Sequence, residues 1–214
     1  MKQTLLIVPG YHGSGPSHWQ TWLENQLPEA RRVGGIDWES PVLAHWTAEI
    51  HREIDKSPSE LWIVAHSFGC LASVVAASQR PEKIAGLMLV APANPKRFAP
   101  FGPRGDGPGN RIGSIAPRLP DKPLDLMSTL VASTNDPWLS WDAAETWAER
   151  WGSRLVNVGL AGHINAEAGY GPWPLGFSLL RSMQRAYDNL PRDKLGSPPV
   201  SPQNDHDPRF TFYF

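Results

Sequence analysis

The chain has 214 residues, and its 20 lysines and arginines nearly balance 21 aspartates and glutamates, which gives a formal net charge of −1. This length suits one domain with a substantial core, and the balanced charge offers no electrostatic footprint for nucleic acid or for an anionic membrane surface. The single cysteine, Cys70, excludes an intrachain disulfide framework and fits a reducing compartment best.

The first residues, MKQTLLIVPG, contain one lysine and a short apolar run. The run is too short for the apolar part of a secretion signal and for a membrane span. We therefore expect no membrane span and predict a cytoplasmic location.

Short apolar runs alternate with helix-like segments along the chain. The apolar runs are continuous, which is typical of strands buried on both faces of a parallel sheet. They cover residues 4–10, 61–67, 84–93, 126–134 and 154–162, and a weaker strand signal lies at 31–38. The helix-like segments cover residues 17–27, 42–56, 69–80, 142–151 and 173–190. This alternation predicts an α/β protein: a three-layer α/β/α sandwich with a mostly parallel central sheet.

Some helix ends can be read directly from the sequence. Ser17 is the predicted N-cap of the first helix, and Pro28 is expected to end that helix. Asp142 is the predicted N-cap of the fourth helix, which Gly152 is expected to end.

Two segments lack a sustained apolar period. Residues 92–123 are rich in proline and glycine, and we predict an excursion at the carboxyl edge of the sheet. Residues 1–190 are predicted to form the one folded domain, and residues 191–214 a flexible C-terminal tail.

The second apolar run ends in VAHSFGC, where Ser67 stands between a predicted strand and a predicted helix. This is the layout of a nucleophile elbow, in which a sharp turn exposes the serine hydroxyl. The strand and the helix pass close together there, so the positions two before and two after the serine must be small. Gly69 meets this need, and Ala65 stands where the full pattern has glycine. The alternative is an ordinary buried serine at a strand end, with no catalytic role.

A serine hydroxyl is a weak nucleophile unless a histidine takes its proton and an acid orients that histidine. Asp136 in ASTNDPW closes the next-to-last predicted strand, and His163 in GLAGHIN follows the last one. Taken singly, Asp136 before a proline is more often a turn former, and a loop histidine is usually solvated. Together with Ser67 they stand at strand ends in the order serine, acid, histidine that hydrolases of this type use, which predicts a catalytic triad.

The glycine-rich stretch GYHGSGPS after the first strand resembles an anion-binding loop. Pro16 replaces the lysine that a phosphate loop needs, and His18 occupies the third glycine position of a dinucleotide fingerprint. The remaining candidate anion is the tetrahedral oxyanion of acyl transfer. We predict that the backbone amides of Tyr11 and Phe68 form its oxyanion hole.

Further histidines and tryptophans stand near these motifs. His12, Trp138 and Trp173 are candidates for the wall of a substrate pocket, although core packing is an equally open alternative for the two tryptophans. His12, His18 and His66 have no recognisable spacing of metal ligands. We therefore predict no metal and no organic cofactor.

The stretches PGYHGSGPSHWQTWL, VAHSFGC, ASTNDPW and GLAGHIN are similar to those of a known family, the small serine hydrolases of the α/β-hydrolase fold related to retinoblastoma-binding protein nine. The resemblance covers roughly residues 3–190. It implies a fold without a large cap domain, with Ser67 as nucleophile, Asp136 as acid and His163 as base. The proline- and glycine-rich segment 92–123 departs from the family and leaves the substrate preference open.

The expected activity is hydrolysis of an ester, thioester or amide of a small acyl substrate through an acyl-enzyme on Ser67. The alternative is a hydrolase-fold binding protein with little or no turnover, because a fold alone does not decide function. The sequence predicts neither the physiological substrate, nor a protein partner, nor the oligomeric state.

Overall fold

A computed structural model describes residues 4–105 and 112–190, so the predicted flexible tail at 191–214 lies outside the described residues. The strands of the described part are β1 (Thr4–Val8), β2 (Ala30–Arg32), β3 (Leu61–Ser67), β4 (Ile84–Pro92), β5 (Phe98–Ala99), β6 (Gly102–Pro103), β7 (Ser128–Ala132) and β8 (Arg154–Asn157). One sheet has the order β2-β1-β3-β4-β7-β8. All of its neighbouring strands run parallel, and their carboxyl ends therefore meet at one edge.

The helices are α1 (Trp19–Gln26), α2 (Leu43–Lys56), α3 (Phe68–Ser78), α4 (Trp141–Trp151) and α5 (Pro174–Asp188). Successive residues of a strand point to opposite faces of the sheet. Leu6 and Val8 of β1 pack in one apolar core together with residues of α2, α3 and α4. Leu5 and Ile7 pack in a second core with residues of α1 and α5. The predicted three-layer α/β/α architecture with a parallel sheet is confirmed.

Helix α2 shows why these segments are helical. Its buried apolar side chains recur at helical spacing, and the charged residues between them face outward; the buried apolar residues are Leu43, Trp46, Ile50 and Ile54. Helix α3 is instead buried around most of its surface and consists mainly of small and apolar residues. Small side chains let α3 approach both α2 and the sheet closely, which matters for the turn at its start.

The predicted N-caps of two helices are wrong. Helix α1 is capped by His18, not Ser17, because the His18 ring turns inward and its Nδ1 accepts the amide of the second helical residue at 3.1 Å. Helix α4 is capped by Ser140, not Asp142, because Ser140 has extended backbone angles and its hydroxyl accepts the amide three residues on. Gly152 ends α4 in the left-handed conformation, as predicted.

Several predicted strands are too long, and those at 31–38 and 154–162 exceed the observed strands most. The signal at 31–38 corresponds only to β2, and Gly35 beyond it has a φ of 75° that no strand accommodates. The last predicted strand stops at Asn157, because Gly159 and Gly162 turn the chain with positive φ angles. The shorter strand releases residues 158–173 as a loop at the carboxyl edge of the sheet.

The segment between β4 and β7 is mostly irregular in its described part, as the sequence predicts. It contains the small antiparallel hairpin of β5 and β6, and the buried side chains of Phe98 and Ile115 fasten it to the core. The Phe98 ring lies 4.6 Å from that of Phe68 at the start of α3, so the excursion borders the predicted elbow. Across the described ranges, every helix is too short or too polar to cross a bilayer.

Candidate active site

Ser67 lies at the sharp turn between β3 and α3, and its backbone is strained. Its φ of 53° and ψ of −123° form a conformation that residues with a side chain rarely adopt. A Cβ added to Gly69 would lie 2.2 Å from the carbonyl oxygen of Pro9, and one added to Gly10 would lie 2.7 Å from Cβ of Ser67. Both glycines are therefore required by close backbone approach. Ala65 is fully buried and is accommodated at the other small position.

The three predicted residues of the triad are brought together at the carboxyl edge of the sheet. Nε2 of His163 lies 2.9 Å from Oγ of Ser67, and Nδ1 of His163 lies 3.0 and 2.9 Å from the two carboxylate oxygens of Asp136. The side chains of His163 and Asp136 are only 7% and 3% exposed. This burial excludes most competing water from the hydrogen bonds.

The carboxylate of Asp136 fixes the tautomer of His163. A carboxylate only accepts hydrogen bonds, so Nδ1 of His163 carries the hydrogen and donates it. The lone pair of Nε2 then faces the hydroxyl of Ser67, which donates to it. Oδ1 of Asp136 also accepts the backbone amide of Trp138 at 2.8 Å, which holds the carboxylate in place. The arrangement can move the serine proton onto the imidazole.

Two residues that sequence reasoning missed hold the loop of His163 against the loop of Asp136. The amide of Gly162 donates to Oδ1 of Asn135 at 2.8 Å, and the hydroxyl of Ser133 donates to the carbonyl oxygen of Gly162. Both side chains belong to the stretch STND after β7. Short polar side chains just after a strand were the available signal, since such residues often hydrogen-bond nearby backbone groups.

The predicted oxyanion-hole amides belong to Phe68, which directly follows Ser67, and to Tyr11, which directly follows Gly10, a residue that approaches Ser67 closely. Phe68 is the first residue of α3, and the first amides of a helix have no partner within it. In the loop after β1, the His12 amide donates to the Trp38 carbonyl at 2.9 Å and the Gly13 amide to the Gly10 carbonyl at 2.9 Å. Among the described residues, the Tyr11 amide has no hydrogen-bond acceptor.

Trp138 forms one wall of the candidate site. Its ring centroid lies 5.9 Å from that of His163, and 39% of the residue is exposed. The guanidinium of Arg97 stacks over the Trp138 ring at 4.2 Å and donates to the carbonyl of Pro137 at 3.2 Å. These two contacts of Arg97 hold the segment between β4 and β7 against the loop of Asp136.

The other two pocket candidates lie in different surroundings. His12 is exposed, stacks on Tyr11 at 3.7 Å and contacts the carboxylate of Glu39 at 2.8 Å. Trp173 is buried and packs edge-on against Trp19 with ring centroids 5.1 Å apart. These contacts favour a surface position for His12 and core packing for Trp173.

Two further histidines are buried close to the site. The rings of His18 and His66 meet edge-on at 4.8 Å. Burial, with smaller contributions from Arg32 and His163, lowers the pKa of His18 to about 4. Burial also lowers the pKa of His66 well below the ordinary value, and His163 and His18 lower it further. Both rings are therefore neutral at pH 7. Within the described ranges, histidine, cysteine and carboxylate side chains form no group of three suited to a metal.

The parallel sheet, the strained turn at Ser67 and the meeting of serine, histidine and aspartate side chains define the class of the protein as an α/β-hydrolase-fold hydrolase. The model of the serine hydrolase family matches residues 5–182, and the chain belongs to that family. The resemblance drawn from the sequence motifs is thus confirmed. A search among curated proteins found no match.

Solved structures share this fold over most of the chain. A protein described as a YdeN-like hydrolase, from Pectobacterium atrosepticum, is 37% identical, with a TM-score of 0.76 over 87% of this chain and 92% of its own. The ydeN gene product of B. subtilis is 18% identical, with a TM-score of 0.67 over 86% and 100% of the two chains. Est1E from Butyrivibrio proteoclasticus, solved with ferulic acid, is 14% identical, with a TM-score of 0.62 over 86% and 88%.

Proposed function

We propose that this serine hydrolase cleaves a carboxylic ester, thioester or amide through an acyl-enzyme on Ser67. The observation that carries the proposal is the pair of hydrogen bonds at His163: 2.9 Å from Nε2 to Oγ of Ser67, and 3.0 and 2.9 Å from Nδ1 to Asp136. A nucleophile within reach of a base that a third group orients is the arrangement that acyl transfer requires.

Acylation begins when Oγ of Ser67 attacks the substrate carbonyl and its proton passes to Nε2 of His163. The carbonyl oxygen becomes an oxyanion that accepts hydrogen bonds from the amides of Phe68 and Tyr11. Asp136 stabilises the imidazolium that forms. The bond to the leaving group then breaks, and His163 returns the proton to the departing oxygen, sulfur or nitrogen.

Deacylation repeats these steps with water. Nε2 of His163 takes a proton from the water as its oxygen attacks the acyl carbon, and the same two amides hold the second oxyanion. The bond between Oγ of Ser67 and the acyl carbon then breaks, Oγ recovers its proton from His163, and the carboxylic acid leaves. The proton transfers between Ser67 and His163 use atoms that are already within hydrogen-bond reach.

Ester hydrolysis is the favoured activity, because an alkoxide or phenoxide leaves more easily than an amine. Trp138 offers an apolar surface next to His163, which suits a small acyl or aromatic group. Structural neighbours with the same fold include Est1E, solved with ferulic acid, and the type II thioesterase YbtT. Their identities of 14% and 16% support the fold alone, so thioesters belong in the assay panel.

Labelling with a fluorophosphonate probe tests the nucleophile. The wild-type protein should label, and Ser67→Ala should not. Ser78→Ala is a matched control on the same helix, since Ser78 is exposed and its hydroxyl contacts only the Val75 carbonyl at 2.9 Å; it should label at the wild-type rate. A folded wild-type protein that resists the probe would instead be a hydrolase-fold binding protein.

A substrate panel then separates the bond types. Short p-nitrophenyl esters, acyl thioesters of a simple thiol and aminoacyl anilides should be compared at equal concentration, with Ser67→Ala subtracted as background. We expect kcat/KM to be largest for esters and smallest for amides. Equal rates for wild type and Ser67→Ala on all three would contradict the proposed reaction.

A further inference from the structure

The loop that carries His163 is held by its backbone carbonyls. Three successive carbonyl groups, those of residues 162, 163 and 164, each accept a hydrogen bond from a side chain. The donors are the hydroxyl of Ser133, Nε2 of His66 at 2.9 Å and Nε1 of Trp19 at 2.8 Å. They come from the loop after β7, the end of β3 and the first turn of α1. Three separate parts of the chain thus converge on one short loop.

The bond from His66 has a fixed direction. A carbonyl oxygen only accepts, so Nε2 of His66 carries the hydrogen and donates it to the His163 carbonyl. The His66 ring is 4% exposed, and burial keeps its pKa well below the ordinary value, so the ring stays neutral and keeps this tautomer. His66 directly precedes Ser67 in the chain. Its side chain therefore joins the strand of the nucleophile to the loop of the base.

His18 supports the His66 ring from the other side. Nδ1 of His18 accepts the amide of Gln20, so the neutral ring carries its hydrogen on Nε2. That buried Nε2 has no hydrogen-bond partner among the described residues, and the ring packs edge-on against His66 at 4.8 Å. The neighbouring Trp19 ring also meets the His66 ring edge-on, at 6.1 Å. His18 and Trp19 are neighbours in the motif SHW, and neither takes part in a proposed catalytic step. Both pack against the ring of His66.

We propose that His66, enclosed by His18 and Trp19, is a positioning residue that sets the distance between the base and the nucleophile. Its hydrogen bond to the His163 carbonyl holds Nε2 of His163 within reach of Ser67. The loop needs such support because Gly162 and Ile164, on either side of His163, have positive φ angles of 56° and 47°. This inference rests on the proposed function, since it concerns the same pair of reacting groups.

Two substitutions of His66 separate hydrogen bonding from packing. His66→Leu fills similar space without a donor, and His66→Gln places an amide donor near the original Nε2. We expect His66→Leu to lower kcat for a p-nitrophenyl ester by about 10- to 100-fold, because a displacement of about 1 Å can cost about 100-fold in rate. KM should stay within about twofold, and His66→Gln should recover most of kcat.

His51→Leu is the matched control. His51 also contacts a backbone carbonyl, that of Ala76 at 3.3 Å, but it does so between α2 and α3, away from the site. Its replacement should leave kcat and the rate of fluorophosphonate labelling at wild-type values, whereas His66→Leu should slow labelling along with kcat.

Several results would overturn the inference while leaving the proposed function intact. If the wild type labels and His66→Leu retains full kcat, the bond does not position the base. If His66→Leu and His66→Gln lose equal activity, donation to the carbonyl is not the cause. If His66→Leu does not fold, His66→Asn decides, because its shorter amide stays polar but does not reach the His163 carbonyl: a severalfold lower kcat at unchanged KM supports the inference, and wild-type kcat overturns it. Failure of the wild type to label contradicts the proposed function itself.

Discussion

Two regions border the same edge of the sheet, and the chain holds them very differently. Residues 158–164 present three consecutive carbonyls to side-chain donors, and His163 within them is buried. The excursion between β4 and β7 depends on a few buried anchors such as Phe98 and leaves Phe101 85% exposed at its hairpin turn. The difference teaches that side-chain hydrogen bonds are concentrated on the loop of the proposed base, whereas the neighbouring wall is held mainly by a few apolar anchors.

The two regions also differ in charge. The described parts of the segment between β4 and β7, residues 93–105 and 112–127, carry five basic side chains and two carboxylates; the basic residues are Lys96, Arg97, Arg104, Arg118 and Lys122, and the carboxylates are Asp121 and Asp125. The chain as a whole has a net charge of −1. Among these residues, Arg97 stacks over Trp138, whose ring lies beside that of His163, so the segment places one positive charge next to the candidate site.

The largest expected effect comes from the firmly held region. Asp136→Asn keeps the shape of the side chain but removes the carboxylate that fixes the tautomer of His163. We expect kcat for a p-nitrophenyl ester to fall by about 10⁴-fold, as in other triads, with little change in melting temperature. Steady-state kinetics and thermal unfolding check both quantities. A loss of less than about tenfold would show that Asp136 does not orient the base.

The next largest effect is expected on the free energy of unfolding, when alanine replaces one of two glycines, Gly69 or Gly113. In Gly69→Ala the new Cβ would lie 2.2 and 2.7 Å from the carbonyl oxygens of Pro9 and Val8, which cannot move aside without shifting β1. We expect a loss of about 3 kcal/mol in the free energy of unfolding, typical of overpacking.

Gly113→Ala is the counterpart in the excursion. Its Cβ would meet nothing within 4 Å, and a surface change of this kind stays within about 0.5 kcal/mol. Chemical denaturation measures both variants. Equal stabilities of the two would contradict the contrast between the regions.

A smaller change in the free energy of unfolding is expected when the pH is lowered. The folded-state pKa values of His18 and His66 lie below the ordinary value, at about 4 for His18, so protons bind the unfolded chain more tightly. Their contribution to stability is complete above about pH 6.5 and decreases as the pH falls toward 4. The expected loss is up to about 1.4 kcal/mol per pH unit for each histidine.

Urea unfolding between pH 7 and 4 measures this dependence. His66→Gln should make this dependence shallower, whereas Ser78→Ala, which removes no titratable group, should leave it unchanged. A pH dependence that is identical in wild type and His66→Gln would show that His66 is not held neutral by burial.

The smallest effect should occur at the exposed hairpin turn. Phe101→Ser removes an aromatic ring that is 85% exposed, so the free energy of unfolding should change by less than about 0.5 kcal/mol. The kcat for the smallest ester should equal that of the wild type. A destabilisation of more than about 1 kcal/mol would show that the excursion is held more firmly than its burial indicates.

Much of the fold follows from local patterns in the sequence. The continuous apolar runs predict the parallel strands, and the spacing of buried residues such as Trp46 and Ile50 predicts the helices. Errors occur where a long-range contact decides a local boundary. Ser17 has the better capping chemistry, but the buried ring of His18 takes the cap because it packs against His66 from β3.

The candidate site was predictable in part for a different reason. Ser67, Asp136 and His163 could be named because each follows a strand, and parallel strands deliver their carboxyl ends to one edge. Trp19 and His66, which also hold the loop of His163, carry no such mark. Trp19 bonds a carbonyl 145 residues away, and His66 one 97 residues away. A local sequence pattern does not predict a hydrogen-bond partner that is so far away in the chain. From the sequence alone, these side chains are therefore indistinguishable from ordinary core residues.

The strained turn at Ser67 has a consequence for the stability of the fold. The φ of 53° and ψ of −123° at Ser67 destabilise the fold, since such a conformation costs roughly 1–3 kcal/mol for a residue with a side chain. Ser67→Gly should therefore raise the melting temperature while removing the hydroxyl. Ser67 is thus a position at which the proposed reaction and the stability of the fold make opposite demands.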